Sequence, residues 1–302
     1  PELPAVLYPV PAPSVRGAAK RGRAAIWADC GMGKTPMQLA WAHLMTRDSG
    51  RCLILAPLAV ARQTVEEARK FGYDVPYVKT AQELGEQRVA ITNYERLDAF
   101  DGVDLRAVVC DESSILKSFD GSTRGKLIER FSTVPYRLAC TATPAPNDYL
   151  ELGNHAQFLG IMSWQEMAAM FFVHDQQASD GNRGAMSGAW RLKGHAQEDF
   201  WRWLVTWGVF IRRPSDIGFD DDRFKLPKLS IEESIVKTGA KQDGQLFATR
   251  LHGVSDRAKI RKATLGPRVE RAIKELKAHK GQSIAWCAMH PAADAIADAL
   301  GA

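Results

Sequence analysis

The sequence predicts an α/β fold, a parallel sheet with helices on both faces, and three observations carry that prediction. Short apolar runs alternate with helical stretches through the first 145 residues. Such runs read as strands buried on both sides, the pattern of a covered parallel sheet. A glycine-rich turn at residues 29–33 and an acid pair at 111–112 each fall directly after one of these runs. Ligands of such sheets gather at the carboxyl ends of the strands.

Taken in order, Ala24–Ala28 reads as a strand, Lys34 to about Thr46 as a helix, Cys52–Ala56 as a strand and Ala59–Phe71 as a helix. Arg88–Thr92, Ala107–Cys110 and Tyr136–Cys140 read as further strands. From Met162 to Phe224 the character changes. This stretch holds five of the eight tryptophans (Trp164, Trp190, Trp201, Trp203, Trp207) and a polar loop from about Asp175 to Gly188. Phe200, Trp203, Leu204 and Trp207 recur at helical spacing, so a helix with an aromatic face is expected. Core packing is the favoured role for that face, ahead of a stacking platform for bases. Leu226-Pro227 marks a linker, Lys228–Lys237 reads as a strand, Pro267–Lys280 as a helix and Ser283–Ala288 as a final buried strand. There is no internal repeat.

Of the 302 residues, 45% are apolar and 25% charged, the balance of a globular protein, which excludes a disordered tail, a collagen-like rod and a disulfide-held miniature. The formal charge is 40 − 35 = +5, and it is uneven. Eleven basic against four acidic residues between Lys241 and Lys280 give +7 there and about −2 elsewhere. A solvated helical face is the simplest account of that run, and a polyanionic partner is permitted. Five cysteines without C-x-x-C spacing fit buried or inert thiols in a reducing compartment. No apolar stretch approaches the roughly 18 residues that would span a bilayer, and no signal segment opens the chain. A cytoplasmic protein without a membrane partner is expected. The start at Pro1 points to a processed or excised fragment.

Residues 28–35 read A-D-C-G-M-G-K-T between a strand and a helix. This fits the G-x-x-x-x-G-K-[S/T] phosphate-loop pattern with Ala28 at the first glycine. Gly31 and Gly33 let successive N–H groups turn inward onto phosphate oxygens, and the following helix offers its positive end to the same anion. Lys34 would reach the β- and γ-phosphates, and the Thr35 hydroxyl would ligate Mg²⁺. The rival reading is a glycine turn that merely opens a helix. In A-V-V-C-D-E (107–112), Asp111 would hold Mg²⁺ and Glu112 would act as the general base on the attacking water. Asp29, Gly31, Met32, Gly33, Lys34 and Thr35 are thus the candidate ATP-binding residues, Thr35 and Asp111 the metal ligands, and Glu112, Asp111 and Lys34 the catalytic set.

Phosphate loop, D-E-x-x box and Thr141-Ala142-Thr143 occur in the order of motifs I, II and III of superfamily-two helicases, which the chain resembles. Within that group it looks most like the Swi/Snf-type double-stranded-DNA translocases. D-C-G-M-G-K-T (29–35), L-I-L-A-P-L (53–58), I-T-N-Y-E (91–95), D-E-S-S-I-L-K (111–117), T-P-A-P-N-D-Y-L-E-L (143–152), I-R-R-P (211–214) and L-P-K (226–228) carry the likeness. The D-E-S-S variant resembles phage or prophage members of this DEAD/DEAH-like set, which would place the protein in a bacterial host cell.

The resemblance implies a RecA-like P-loop ATPase domain over residues 1–161, a helical Trp-rich insertion over 162–226, and the start of a second RecA-like domain over 227–302. It implies ATP and Mg²⁺ as cofactors and sequence-independent phosphate contacts with duplex DNA. Candidate contacts are the turn after Ala56-Pro57, Arg62, Tyr94-Glu95-Arg96 and Lys117, while Arg212 and Arg213 would either contact DNA or brace the domain interface. Thr141 and Thr143 would couple nucleotide to domain movement. Three departures qualify it. No adenine-reading Gln appears in Y-P-V-P-A-P (8–13), Ser113 and Ser114 stand where most relatives have Ala and His, and motifs V and VI with their arginine finger are missing. Weak turnover of the chain as it stands is therefore expected. A DEAD-type RNA helicase and a nucleotide-switched binding module remain as alternatives.

Overall fold

A computed structural model describes residues 11–117, 122–174, 190–222, 225, 227–238 and 254–301. The chain divides into two compact units, Pro1–Leu226 and Pro227–Ala302.

In the first unit, strands β1 (Arg23–Ala28), β2 (Cys52–Ala56), β3 (Val89–Asn93), β4 (Ala107–Asp111) and β5 (Tyr136–Thr141) match the apolar runs. A short antiparallel pair, β6 (Phe172–His174) and β7 (Trp190–Leu192), stands apart from them. β8 (Gly208–Ile211) then completes a six-stranded, wholly parallel sheet in the order β3-β2-β4-β5-β1-β8. Nothing in the apolar pattern marks β8. Its four residues follow an aromatic helix without a turn signal, and Phe210 is partly exposed because the strand lies at the sheet edge.

Alternation along the strands explains why both faces are covered. Ala25, Trp27, Leu53, Leu55, Val108, Cys110 and Ala139 enter one core. Their neighbours Ala24, Ile26, Ala28, Cys52, Ile54, Ala56, Ala107, Val109, Leu138 and Cys140 enter the other. Successive side chains of a strand point to opposite faces, so a run apolar throughout needs helices on both. The second core takes α1 (Pro11–Arg21), α2 (Lys34–Met45) and α3 (Leu58–Lys70). The one-turn α4 (Ala81–Leu84), α5 (Ser122–Arg130), α6 (Leu152–Leu159), α7 (Trp164–Phe171) and α8 (Gln197–Trp207) supply the first.

The aromatic helix is core. Phe200, Leu204 and Trp207 of α8 are buried, and the Trp207 ring meets Trp27 of β1 edge-on at 5.1 Å. A base-stacking platform is thereby excluded for this face. The polar loop expected over Asp175–Gly188 lies outside the described residues.

The second unit holds α9 (Val254–Ala263), α10 (Leu265–Ala278) and α11 (His290–Leu300). Helix α10 buries no residue, so its basic side chains face outward. The two strands expected here are absent. Lys228–Lys237 and Ser283–Ala288 take no regular structure, and Ile231, Ile235, Ile284 and Trp286 are 76–93% exposed. A strand needs a neighbour for its backbone groups, and among the described residues no strand lies beside either segment.

Candidate active site

Every strand of the parallel sheet ends on one rim, and the residues singled out from the sequence lie along it. Asp29–Gly33 follow β1, Pro57 follows β2, Tyr94 follows β3, Glu112 follows β4, Ala142-Thr143 follow β5 and Arg212 follows β8. The register sets Asp111 beside Cys140 and Cys140 beside Ile26. Two strand spacings, about 10 Å, therefore separate the acid-bearing strand from the strand that feeds the glycine loop.

The loop is built to receive an anion. Gly31 and Gly33 both have φ of 80°, a left-handed backbone that a side chain would strain. A Cβ at Gly31 would meet nothing within 4 Å, so it is the backbone angle and not crowding that calls for glycine there. Helix α2 starts from Gly33 without a side-chain cap, which leaves its first N–H groups available. Lys34 Nζ donates to the Ala28 carbonyl at 2.8 Å and the Asp29 carbonyl at 3.4 Å, folding its charge back over the loop. The Asp29 N–H donates to the Ile211 carbonyl at 2.8 Å, pinning the loop to β8. Open amides, a folded-back ammonium and a facing carboxylate fit a magnesium–triphosphate group.

Asp111 lies on the α2 side of the sheet and is 95% buried. Burial pushes its carboxyl up to about 6, and the neighbouring Glu112 charge pushes the same way, while the Gln38 amide and Lys34 oppose it. Gln38 lies beside that carboxyl, fully buried, without closing a hydrogen bond. An enclosed carboxyl facing a lysine at a strand end is unlike a solvated helix cap, and its donor type suits a magnesium ion.

Glu112 is the one described residue other than glycine with positive φ, at 50°. That conformation costs a side-chain-bearing residue roughly 1–2 kcal/mol, and surrounding contacts must hold it. Its N–H donates to Asp111 Oδ1 at 3.1 Å, and its Oε2 accepts the Thr141 hydroxyl at 3.3 Å. Thr141 Oγ1 in turn accepts the Thr143 N–H at 3.2 Å, so the acid pair and the Thr-Ala-Thr turn form one connected network.

Two further residues brace the site, one assigned another role above and one without any signal in the sequence. Tyr94, grouped above with candidate DNA contacts, is buried and donates its hydroxyl to the Asp111 carbonyl at 2.6 Å, so it braces β4 from within. His155 of α6 is fully buried and lies 3.1 Å through Nε2 from Ser113 Oγ. Arg62, Arg96, Arg212 and Arg213 are exposed on or near the rim, while the Lys117 side chain lies outside the described residues.

No protein-family model and no curated protein matches this chain. Among solved structures it is similar to the Sulfolobus solfataricus SWI2/SNF2 ATPase core in complex with dsDNA. The TM-score is 0.53 and the identity 19%, over 70% of this chain and 45% of that one. The same organism's SWI2/SNF2 ATPase core domain gives 0.51 and 18%, over 69% and 45%. The chain thus spans less than half the length of these neighbours. The fold is the RecA-like fold of the SWI2/SNF2 ATPase core, a parallel six-stranded sheet with flanking helices.

Proposed function

We propose that this chain is part of an ATP-dependent motor that moves along duplex DNA without reading its sequence. The observation that carries the reading is the pairing, on one rim, of an open glycine loop opening α2 with a buried Asp111 and a strained Glu112 two strands away. Thr35 and Asp111 would hold Mg²⁺, which when bound neutralises charge on the triphosphate. Lys34 leaves the Ala28 and Asp29 carbonyls and turns to the phosphates. Glu112, at the end of β4, takes a proton from the attacking water. Thr141 shares a hydrogen bond with Glu112, so a change at the carboxylate reaches the Thr143 turn directly.

The DNA reading is supported by the neighbour solved with dsDNA and by exposed arginines on the same rim. Arg62, Arg96, Arg212 and Arg213 would contact phosphates, which suits a motor indifferent to sequence. Residues 1–161 are read as the first motor domain, 162–226 as its insertion and 227–302 as the beginning of the second. The decisive experiment measures ATP hydrolysis by the full-length protein with duplex DNA and with single-stranded RNA. Stimulation by duplex DNA that weakens steeply with salt is expected; stimulation by RNA alone would replace the proposal with an RNA helicase.

A further inference from the structure

We infer that His155, acting through Ser113, is a positioning residue that holds Glu112 in its hydrolytic orientation. The inference rests on the ATPase reading above and brings in a histidine that lies outside the quoted motifs.

The geometry runs from the backbone outward. Glu112 sits at φ 50°, a conformation its own side chain disfavours, so it stays there only while its neighbours are fixed. On one side the Glu112 N–H is tied to Asp111 Oδ1, and on the other its carbonyl accepts the Ile115 N–H at 3.2 Å. Those bonds close the turn but do not engage the Ser113 side chain, and a shift at 113 would let Glu112 relax and carry its carboxylate away from Thr141. The Ser113–His155 bond removes that freedom. Both residues are fully buried, and Ser113 Oγ lies 3.1 Å from His155 Nε2.

His155 is itself held. Its ring meets the Trp27 ring edge-on at 5.7 Å, and Trp27 lies two residues before the glycine loop's Asp29. The adjacent Asn154 accepts a hydrogen bond from Arg124 of α5 at 3.0 Å, anchoring α6 at the same point. Burial keeps the imidazole neutral, so it can share one hydrogen bond with the hydroxyl without introducing a charge. A polar pair of this kind is costly inside an apolar face unless both partners stay bonded, which is what makes it an effective lock. The histidine touches neither phosphate loop nor carboxylate. It bridges the strand that carries the loop and the turn that carries the base.

The test uses the full-length protein with Lys34→Ala and Glu112→Gln as references. For His155→Leu, kcat is expected to fall at least tenfold while ATP affinity stays within twofold. Affinity for ADP with aluminium fluoride, a mimic of the hydrolytic transition state, should fall by the same factor as kcat. Ser113→Ala removes a single oxygen and should reproduce the effect. The double variant should be no worse than either single, because the two side chains act as one unit. His155→Gln, which keeps a hydrogen-bonding group at similar reach, should restore most of the rate. Unchanged kcat in Ser113→Ala and His155→Leu, or losses that multiply in the double variant, would overturn the inference. A fall in melting temperature with normal turnover per folded molecule would do so too. If Glu112→Gln itself hydrolyses ATP normally, it is the ATPase assignment that fails, so the two failures are told apart.

Discussion

Thr141 donates its hydroxyl to Glu112 Oε2 at 3.3 Å, joining the end of β5 to the carboxylate that follows β4. The Thr141 hydroxyl oxygen accepts the Thr143 N–H, so one side chain ties the acid pair to the next turn. Thr141→Val keeps the shape of the buried side chain and deletes the bond. Turnover is expected to drop roughly tenfold, the scale of about 1.4 kcal/mol in the barrier. ATP affinity should be unchanged, since the Thr141 hydroxyl bonds Glu112 and Thr143 rather than the glycine loop. Steady-state kinetics beside equilibrium binding of a fluorescent ATP analogue reads both; a variant that loses affinity but keeps kcat contradicts the coupling role.

Lys34 and Glu112 should separate binding from chemistry. Lys34 is the ammonium nearest the loop and rests on the Ala28 and Asp29 carbonyls. Lys34→Ala is expected to abolish measurable nucleotide binding, because the cradle then faces the phosphates with amides alone. Glu112→Gln preserves size and hydrogen bonding but cannot take a proton, so it should bind ATP normally and stop hydrolysis. Equal ATP affinity for wild type and Lys34→Ala would show that the glycine loop is not the phosphate site.

Helix α6 offers a test of packing. A Cβ at Gly153 would lie 2.7 Å from Trp164 Cδ1 and 2.8 Å from Met167 Cε, because α6 and α7 approach closely there. The methionine can move aside but the indole is wedged against Trp190 at 6.1 Å. Gly153→Ala should therefore destabilise by about 1–3 kcal/mol, despite alanine's better helix propensity. Chemical denaturation measures it, and a gain in stability would show that the α6–α7 contact is looser than described.

The first five strands and the two groups that face each other across the rim were legible in the sequence for one physical reason. Buried parallel strands must be apolar throughout, and polar residues concentrate where they stop. Asp111 and the glycine loop stand out against that background. His155 and Gln38 do not, because each works by burial beside a partner far along the chain, and a lone polar residue inside an apolar helix has no periodic signature; Tyr94 stood out in its motif, but its bracing of Asp111 did not. Ser283–Ala288 shows the converse error. Its apolar run meets the composition of a strand, yet composition supplies no neighbouring strand, and Trp286 stays 93% exposed.

The same two buried groups that organise the site give the metal-free protein an unusual pH response. Asp111 titrates near 6 in the folded chain against an ordinary value of 3.8, so between those limits the folded state binds more protons than the unfolded one. Stability from this group falls as pH rises through that window. His155 has the opposite sign. Burial lowers it from 6.5 to about 4, so the unfolded state binds more protons between those limits, and stability is lost as pH falls through them. In the wild type the two slopes oppose each other from pH 4 to 6. Asp111→Asn leaves the histidine alone, and relative to wild type it should lose stability on acidification by up to about 1.4 kcal/mol per pH unit. His155→Leu leaves the carboxyl alone and should gain by comparison as the pH falls. Urea unfolding at several pH values between 4 and 7.5, without divalent cations, resolves the two curves. Parallel curves for wild type and Asp111→Asn would mean that the Asp111 carboxyl is hydrated and titrates in its ordinary range.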